Sequence, residues 1–441
     1  MPTQPIPLAT HEPKSQRATI TIPPADLLRS VYVIGKTGTG KTTLLEQLTV
    51  AAAGTGFGAC LIDPHGDMSR RVLGLLPRRF ANQVVHFRPA EETRPIGLNL
   101  LAPSPGIPRA IVASGVVEVF RKLWGRMLFG PRSEHLLRNA VLALLETPGT
   151  TLLSLLRLLT DEPYRLKIVA RVTDPVVRLF WLREFPGYGK SFAAEVTAPL
   201  LNKLGALAAP AVRRVVGQVA PRLRLREVLD ERRILIADLS GIGRDAAELL
   251  GALLVSGIAT AAQSRAGTPI ARRSPFLLVA DEFHAYTTAS FAQLLAEGRK
   301  FGLCAALAHQ YLDQLEPEIR AAILGNVGTM IAFRVSAADA AVLAPEVEPE
   351  LTVRNLVRLK RHHIVMRLLR HGEPEIPTTA RTIPPGSLDP LARARLERLS
   401  RERYGRPVEL VDREIAEALG MQLGALTEPT RKPAPPRRRF R

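Results

Sequence analysis

Apolar positions along this chain follow two periods that take turns. Short continuous apolar runs, closed by glycine or a charged residue, read as buried strands: VYVIG from Val31, ACLID over 59–63 and VVHF over 84–87. Between the first two, Thr42 to Ala53 places its apolar residues at helical spacing. From about Arg109 to Arg224 the period is helical throughout, in RAIVASGVVEVFRKLW, HLLRNAVLALLE, TLLSLLRLLT and APLLNKLGALAAPAVRRVVGQV, with Pro and Gly between the segments. Strand runs return at RILIADL (233–239), FLLVAD (276–281), LCAALAH (303–309), GTMIAFRV (328–335) and HHIVMRLL (362–369), separated by helical stretches. Alternation of this kind predicts an α/β fold with a mainly parallel sheet, interrupted by an all-α insertion.

That pattern divides the 441 residues. Residues 1–27 are Pro-rich and predict a surface segment with a short strand near 19–21. Residues 28–108 and 226–384 are the two parts of the α/β core, and 109–225 is the all-α insertion. Residues 385–441 supply two short charged helices and a basic tail, RKPAPPRRRFR, which cannot bury a core and is expected to be disordered. No internal repeat appears. The longest uncharged run, Leu249 to Ser264, is shorter than the about 20 apolar residues that a bilayer requires, so a buried core helix is expected there. The N-terminus lacks the charged-then-apolar order of a signal peptide. The expected location is the cytoplasm, at most peripheral at the inner face of a membrane.

Composition narrows the class of partner. Hydrophobic residues are 46% and charged residues 23%, an ordinary globular balance. Lys+Arg outnumber Asp+Glu by 60 to 41, a net charge of +19 that favours a polyanion. Aromatics are only 5% and no basic segment is interleaved with them. A polyanion here means nucleic acid or an anionic membrane face; base stacking is not expected to dominate, and Lys and Arg contacts to phosphate would be salt-sensitive and independent of sequence. Cys60 and Cys304 lie inside apolar runs and read as small core residues; no Cys/His spacing resembles a zinc site.

The chemistry begins at GKTGTGKT, which satisfies G-x-x-x-x-G-K-[ST] between a strand and a helix. Glycines let the backbone wrap close to phosphate, successive N–H groups point inward as an anion nest, and the helix N-terminus adds partial positive charge. Gly35, Thr37, Gly38, Thr39, Gly40, Lys41, Thr42 and the following Thr43 form the expected nucleotide cradle. Lys41 would reach the terminal phosphates of ATP, and the Thr42 hydroxyl would ligate Mg²⁺.

A second apolar run, FLLVA, ends in two adjacent carboxylates, Asp281 and Glu282. Beside a phosphate loop, the first is placed to hold Mg²⁺, usually through water, and the second to orient or deprotonate an attacking water. Gln310, just after LCAALAH, reads either as a sensor of the terminal phosphate or as a satisfied loop amide. Arg299, just before Gly302, reads either as a last-turn cation with a glycine cap or as an arginine reaching a neighbouring subunit's nucleotide. His65 lies in DPHGD with Asp63 and Asp67. Three such residues on one tight turn converge poorly on one ion, so a structural turn is expected; His284 and His309 read as structural.

Taken in order, GKTGTGKT, LIDPHGD, VADEFHAY, LAEGRKFGL, LAHQYLDQL and GNVGTMIAFRVSAADA resemble the HerA/FtsK superfamily of hexameric ATPases. Within it, the resemblance is closer to the VirD4/TraG/TraD conjugative coupling proteins of type IV secretion, and it covers roughly residues 28–370. It implies a RecA-like P-loop core with an all-α domain, ATP and Mg²⁺ as cofactors, a homo-hexamer, and ATP-driven passage of DNA through a central pore. By position it makes Lys41 and Thr42 the Walker A residues, Asp281 and Glu282 the Walker B pair, Gln310 the sensor and Arg299 the trans-acting arginine. Coupling proteins of that group usually carry N-terminal membrane helices. None is read here, which implies a soluble relative or one that docks on a separate membrane partner. A HerA-like ATPase acting with a nuclease, a protein-translocating secretion ATPase and a nucleotide-gated scaffold that recruits a nuclease or relaxase stand as alternatives.

Overall fold

The computed structural model describes residues 4–11, 18–102 and 106–420. An eleven-stranded sheet organises the chain. Its strands are β1 (Ile6–His11), β2 (Thr19–Ile22), β3 (Val31–Ile34), β4 (Gly58–Asp63), β5 (Val84–Phe87), β6 (Ile234–Asp238), β7 (Phe276–Ala280), β8 (Leu303–His309), β9 (Thr329–Ala332), β10 (His363–Arg367) and β13 (Thr378–Thr382). The short β11 (Leu369–Arg370) and β12 (Glu373–Pro374) pair separately. The spatial order is β2-β1-β13-β10-β9-β3-β8-β7-β4-β6-β5. From β9 to β5 all neighbours are parallel; β10, β13, β1 and β2 extend the sheet antiparallel.

Parallel strands bury both faces, and the alternation along each strand shows which partner each face has. Val31, Val33, Leu277 and Val279 pack with Leu44, Leu45 and Leu48 of the helix Lys41–Gly54 and with Val72 and Leu73 of the helix Asp67–Leu75. Tyr32, Ile34, Phe276 and Leu278 belong to the opposite core, with Leu250, Leu253 and Leu254 of the helix Arg244–Gln263. Cys60 and Cys304 are buried free thiols on two inner strands. Among the described residues, Arg244–Gly267 is the stretch long and apolar enough to cross a membrane, and 83% of its apolar window is buried inside the fold.

Between β5 and β6 every regular element is helical. The first of these helices, Arg109–Leu128, lies against Arg244–Gln263. Gly115 permits the close approach: a Cβ there would stand 2.5 Å from the Ser256 hydroxyl. The charged C-terminal helices Pro390–Tyr404 and Val408–Ala418 then tie this helical stretch to the sheet. Ser400 accepts the His86 N–H of edge strand β5 at 2.7 Å, and Asp412 receives a two-point hydrogen bond from Arg214 at 2.9 and 2.7 Å. The basic tail RKPAPPRRRFR lies outside the described residues.

One expectation is corrected. Within residues 1–27, the described part is not a surface segment: β1 pairs with β13 and β2, and Ile6, Leu8 and Ala9 are fully buried or nearly so. Pro5 and Pro7 hide the strand in the sequence, yet proline is compatible with strands near a sheet edge, and a register shift between Pro7 and Ala9 accommodates it. Leu8→Ala is therefore expected to destabilise the fold by about 3 kcal/mol, the range of core Leu→Ala changes. Urea denaturation measures this, and a cost below about 1 kcal/mol would mean that β1 contributes little.

Candidate active site

Strand β3 ends at Ile34, and the chain turns through Gly35–Gly40 into the helix Lys41–Gly54. The turn needs glycine where φ is positive, +75° at Gly38 and +122° at Gly40. Thr39 braces the loop by donating its hydroxyl to the Lys36 carbonyl at 2.7 Å. Lys41 is buried and donates to the carbonyls of Gly35 at 2.6 Å and Lys36 at 3.3 Å. Burial lowers its pKa, while Asp281 and Glu282 pull it back up.

Those acids follow β7, which is separated from β3 in the sheet only by β8. The Thr42 hydroxyl donates to Asp281 Oδ2 at 3.1 Å. The Asp281 carboxyl is raised above the usual carboxylate range, first by burial and then by Glu282, against the pull of Lys41. Glu282 sits in the left-handed region at φ +48°. Gln310, at the end of β8, donates to Glu282 Oε1 at 2.7 Å and accepts the Thr37 hydroxyl at 2.9 Å. A continuous polar chain thus runs from the phosphate loop to Glu282. Its other oxygen, Oε2, is buried without a hydrogen-bond partner, 3.5 Å from His284 Nδ1.

The structure therefore brings Lys41, Thr42, Asp281, Glu282, Gln310 and Thr37 to one sheet edge. It places Arg299 elsewhere. That residue is exposed on the turn Gly298–Phe301, which enters β8, whereas Gln310 leaves it. Seven residues of β8 at about 3.3 Å each separate the two ends. Gly302 caps the Arg299 turn at φ +75°. The DPHGD segment is a bonded turn: Asp63 accepts the backbone N–H groups of His65 at 3.0 Å and Ser69 at 2.7 Å. His309 is buried and hydrogen-bonded through Nε2 with the Tyr32 hydroxyl at 2.5 Å, a structural pair.

No family model and no curated protein matches the chain. Solved structures do. The plasmid coupling protein TrwB bound to the non-hydrolysable GTP analogue GDPNP superposes with a TM-score of 0.60 at 17% identity, covering 82% of this chain and 88% of that one. The chain shares the TrwB fold. TrwB in complex with ADP and Mg²⁺ gives 0.60 at 15% identity, over 84% and 88% of the two chains. VirB4 of Thermoanaerobacter pseudethanolicus gives 0.57 at 15%, over 88% and 97%. The likeness to TrwB and VirB4 covers most of the chain and supports the RecA-like α/β expectation.

The sequence marks Thr37, Gln310 and Glu282 singly as candidates, but not the hydrogen bonds that join them, because they lie in three distant segments. His284, expected to be structural, lies beside Glu282, and Arg244, Glu248 and Lys122 also act on it electrostatically.

Acid should expose the buried histidines. Desolvation is the main reason that the His309 pKa is pushed down to about 3, with repulsion from His284 next. For His86 the value is about 4, again chiefly through burial. In the unfolded chain both imidazoles take up a proton near pH ~6.5. The folded values lie below the unfolded one, so the unfolded state binds more protons in between. Their stabilising contribution is complete above that point and is lost as pH falls toward the folded values. His309→Gln is expected to flatten the fall in urea midpoint between roughly pH 6.5 and pH 3; an unchanged slope would deny the effect.

Proposed function

We propose that this chain is an ATP-hydrolysing motor that acts as a hexameric ring and moves DNA, in the manner of the conjugative coupling proteins of type IV secretion. The observation carrying this reading is the convergence of Lys41, Thr42, Asp281, Glu282 and Gln310 at one end of the parallel strands. In this reading the core comprises residues 28–108 and 226–384, with 109–225 as the all-α insertion domain.

The residues fit a magnesium triphosphate. The loop from Gly35 to Thr43 offers backbone N–H groups and a helix N-terminus to an anion. The Lys41 ammonium, held by two loop carbonyls, is the cation for terminal phosphates. Thr42 and Asp281 present the oxygen donors that a hard cation takes. Bound Mg²⁺ supplies neutralisation of charge on the phosphate oxygens. Glu282 Oε2 has no hydrogen-bond partner and lies 3.5 Å from His284 Nδ1, which supports a role in orienting a water and taking its proton. Gln310 holds the other oxygen of that carboxylate and touches the loop through Thr37, which suits a sensor. Arg299 is exposed at the far end of β8, away from its own phosphate loop, and in this reading it serves another copy's nucleotide in the ring. The net charge of +19 supports a polyanionic partner held through its phosphates.

Hydrolysis is expected to rise when DNA is added, and to fall by about a hundred-fold or more in Lys41→Ala and Glu282→Gln, with Glu282→Gln still binding ATP. A rate indifferent to DNA would replace the DNA motor by a protein-moving ATPase of the same fold. If Arg299 acts across a subunit boundary, mixing inactive Arg299→Ala with inactive Lys41→Ala protein restores part of the activity, because some sites then combine an intact loop with a neighbour's arginine. Mixtures that stay inactive would remove Arg299 from that role.

A further inference from the structure

The strand order gives the phosphate loop two different flanks. On one side of β3 stand β8 and β7, which carry Gln310, Asp281 and Glu282; on the other stand β9 and β10. A triphosphate whose terminal phosphate meets the first group has the second group on the other side of the loop, open to its ribose and base. We propose that His362, immediately before β10, forms the base-side wall of the site and receives the ribose and aromatic base of a nucleoside triphosphate, with Arg361 and Arg381 beside it. This inference rests on the nucleotide reading above and adds the residue that would recognise the base.

The backbone of His362 is built into the phosphate loop. Its N–H donates to the Thr39 carbonyl at 2.9 Å, and its carbonyl accepts the Thr382 N–H at 2.9 Å. These two bonds hold it at φ +66°, in the left-handed region that histidine enters more readily than branched residues. The ring lies along the loop's flank: a Cβ on Gly40 would come within 2.9 Å of His362 Nδ1 and 3.2 Å of Phe333 Cε1. Phe333 is fully buried and abuts Gly35, so it supports the flank from within. His362 itself is half-buried. Partial burial, then Arg361, Arg381 and His363, hold it toward the neutral form, which presents an aromatic face rather than another cation. Arg361 and Arg381 are exposed nearby, and guanidinium planes also stack on bases. The same flank carries Arg334, whose carbonyl accepts the Lys36 N–H at 2.9 Å.

Calorimetric titration of the full chain with a non-hydrolysable ATP analogue and with inorganic tripolyphosphate separates the base from the phosphates. His362→Ala is expected to weaken the analogue about ten-fold, the scale of one lost stacking partner, and to leave tripolyphosphate within about two-fold of the unaltered protein. His362→Phe, which keeps a ring, should recover most of the loss; His362→Gly, which tolerates the positive φ, should behave as His362→Ala. Equal weakening of both ligands would mean that His362 only shapes the phosphate loop, and no weakening of either would mean that the base lies elsewhere; both outcomes overturn the inference. Unaltered protein that binds neither ligand would overturn the nucleotide reading and this inference together.

Discussion

The fold is arranged around one buried ammonium. Lys41 is held by carbonyl oxygens of its own loop and faces two carboxylates from the strand β7, with β8 between their strands. Burial alone would favour loss of the Lys41 proton and uptake of one by Asp281; their mutual attraction opposes both changes. That balance needs the two strand ends to be near-neighbours in a parallel sheet, the glycine turn to be tight, and the opposite face to be covered by Arg244–Gln263. A shift of β3 by one residue would turn the alternation of Tyr32 and Val33 inside out and carry Lys41 away from the acids.

The helical stretch takes part in this electrostatic field. Lys122 belongs to Arg109–Leu128, while Arg244 and Glu248 belong to the long helix beneath it, and all three act on His284 next to Glu282. The part of the chain that interrupts the α/β alternation is therefore not remote from the chemistry. It reaches the environment of the second carboxylate through the imidazole of His284.

Local motifs were the most legible part of the sequence. GKTGTGKT lies between a strand and a helix, and FLLVA runs into Asp281 and Glu282, so residue type, spacing and context agree within about ten positions. Most inner strands were visible as unbroken apolar runs for the same reason. The outer strands were legible only in part: the edge strands β2 and β5 match the runs near 19–21 and over 84–87, whereas β1 contains Pro7, and β13 reads TTART, with few apolar residues. Both depend on pairing partners far away in the chain. The same non-locality hid the hydroxyl–amide–carboxylate chain through Thr37 and Gln310, and the seating of His362 beside Gly40. Arg299 is different, because its place was implicit in the chain order. It precedes β8 and Gln310 follows β8, so in a parallel sheet the two must stand at opposite edges.

The two native thiols also have a practical meaning. Cys60 and Cys304 are fully enclosed on inner strands, and burial raises both pKa values, so neither supplies the thiolate that alkylating reagents attack. Their reactivity accordingly reports the opening of the sheet itself. A cysteine introduced on the surface would be the sole fast-labelling position of the folded molecule, which lets a dye be placed by choice without first stripping out the natural sulfurs.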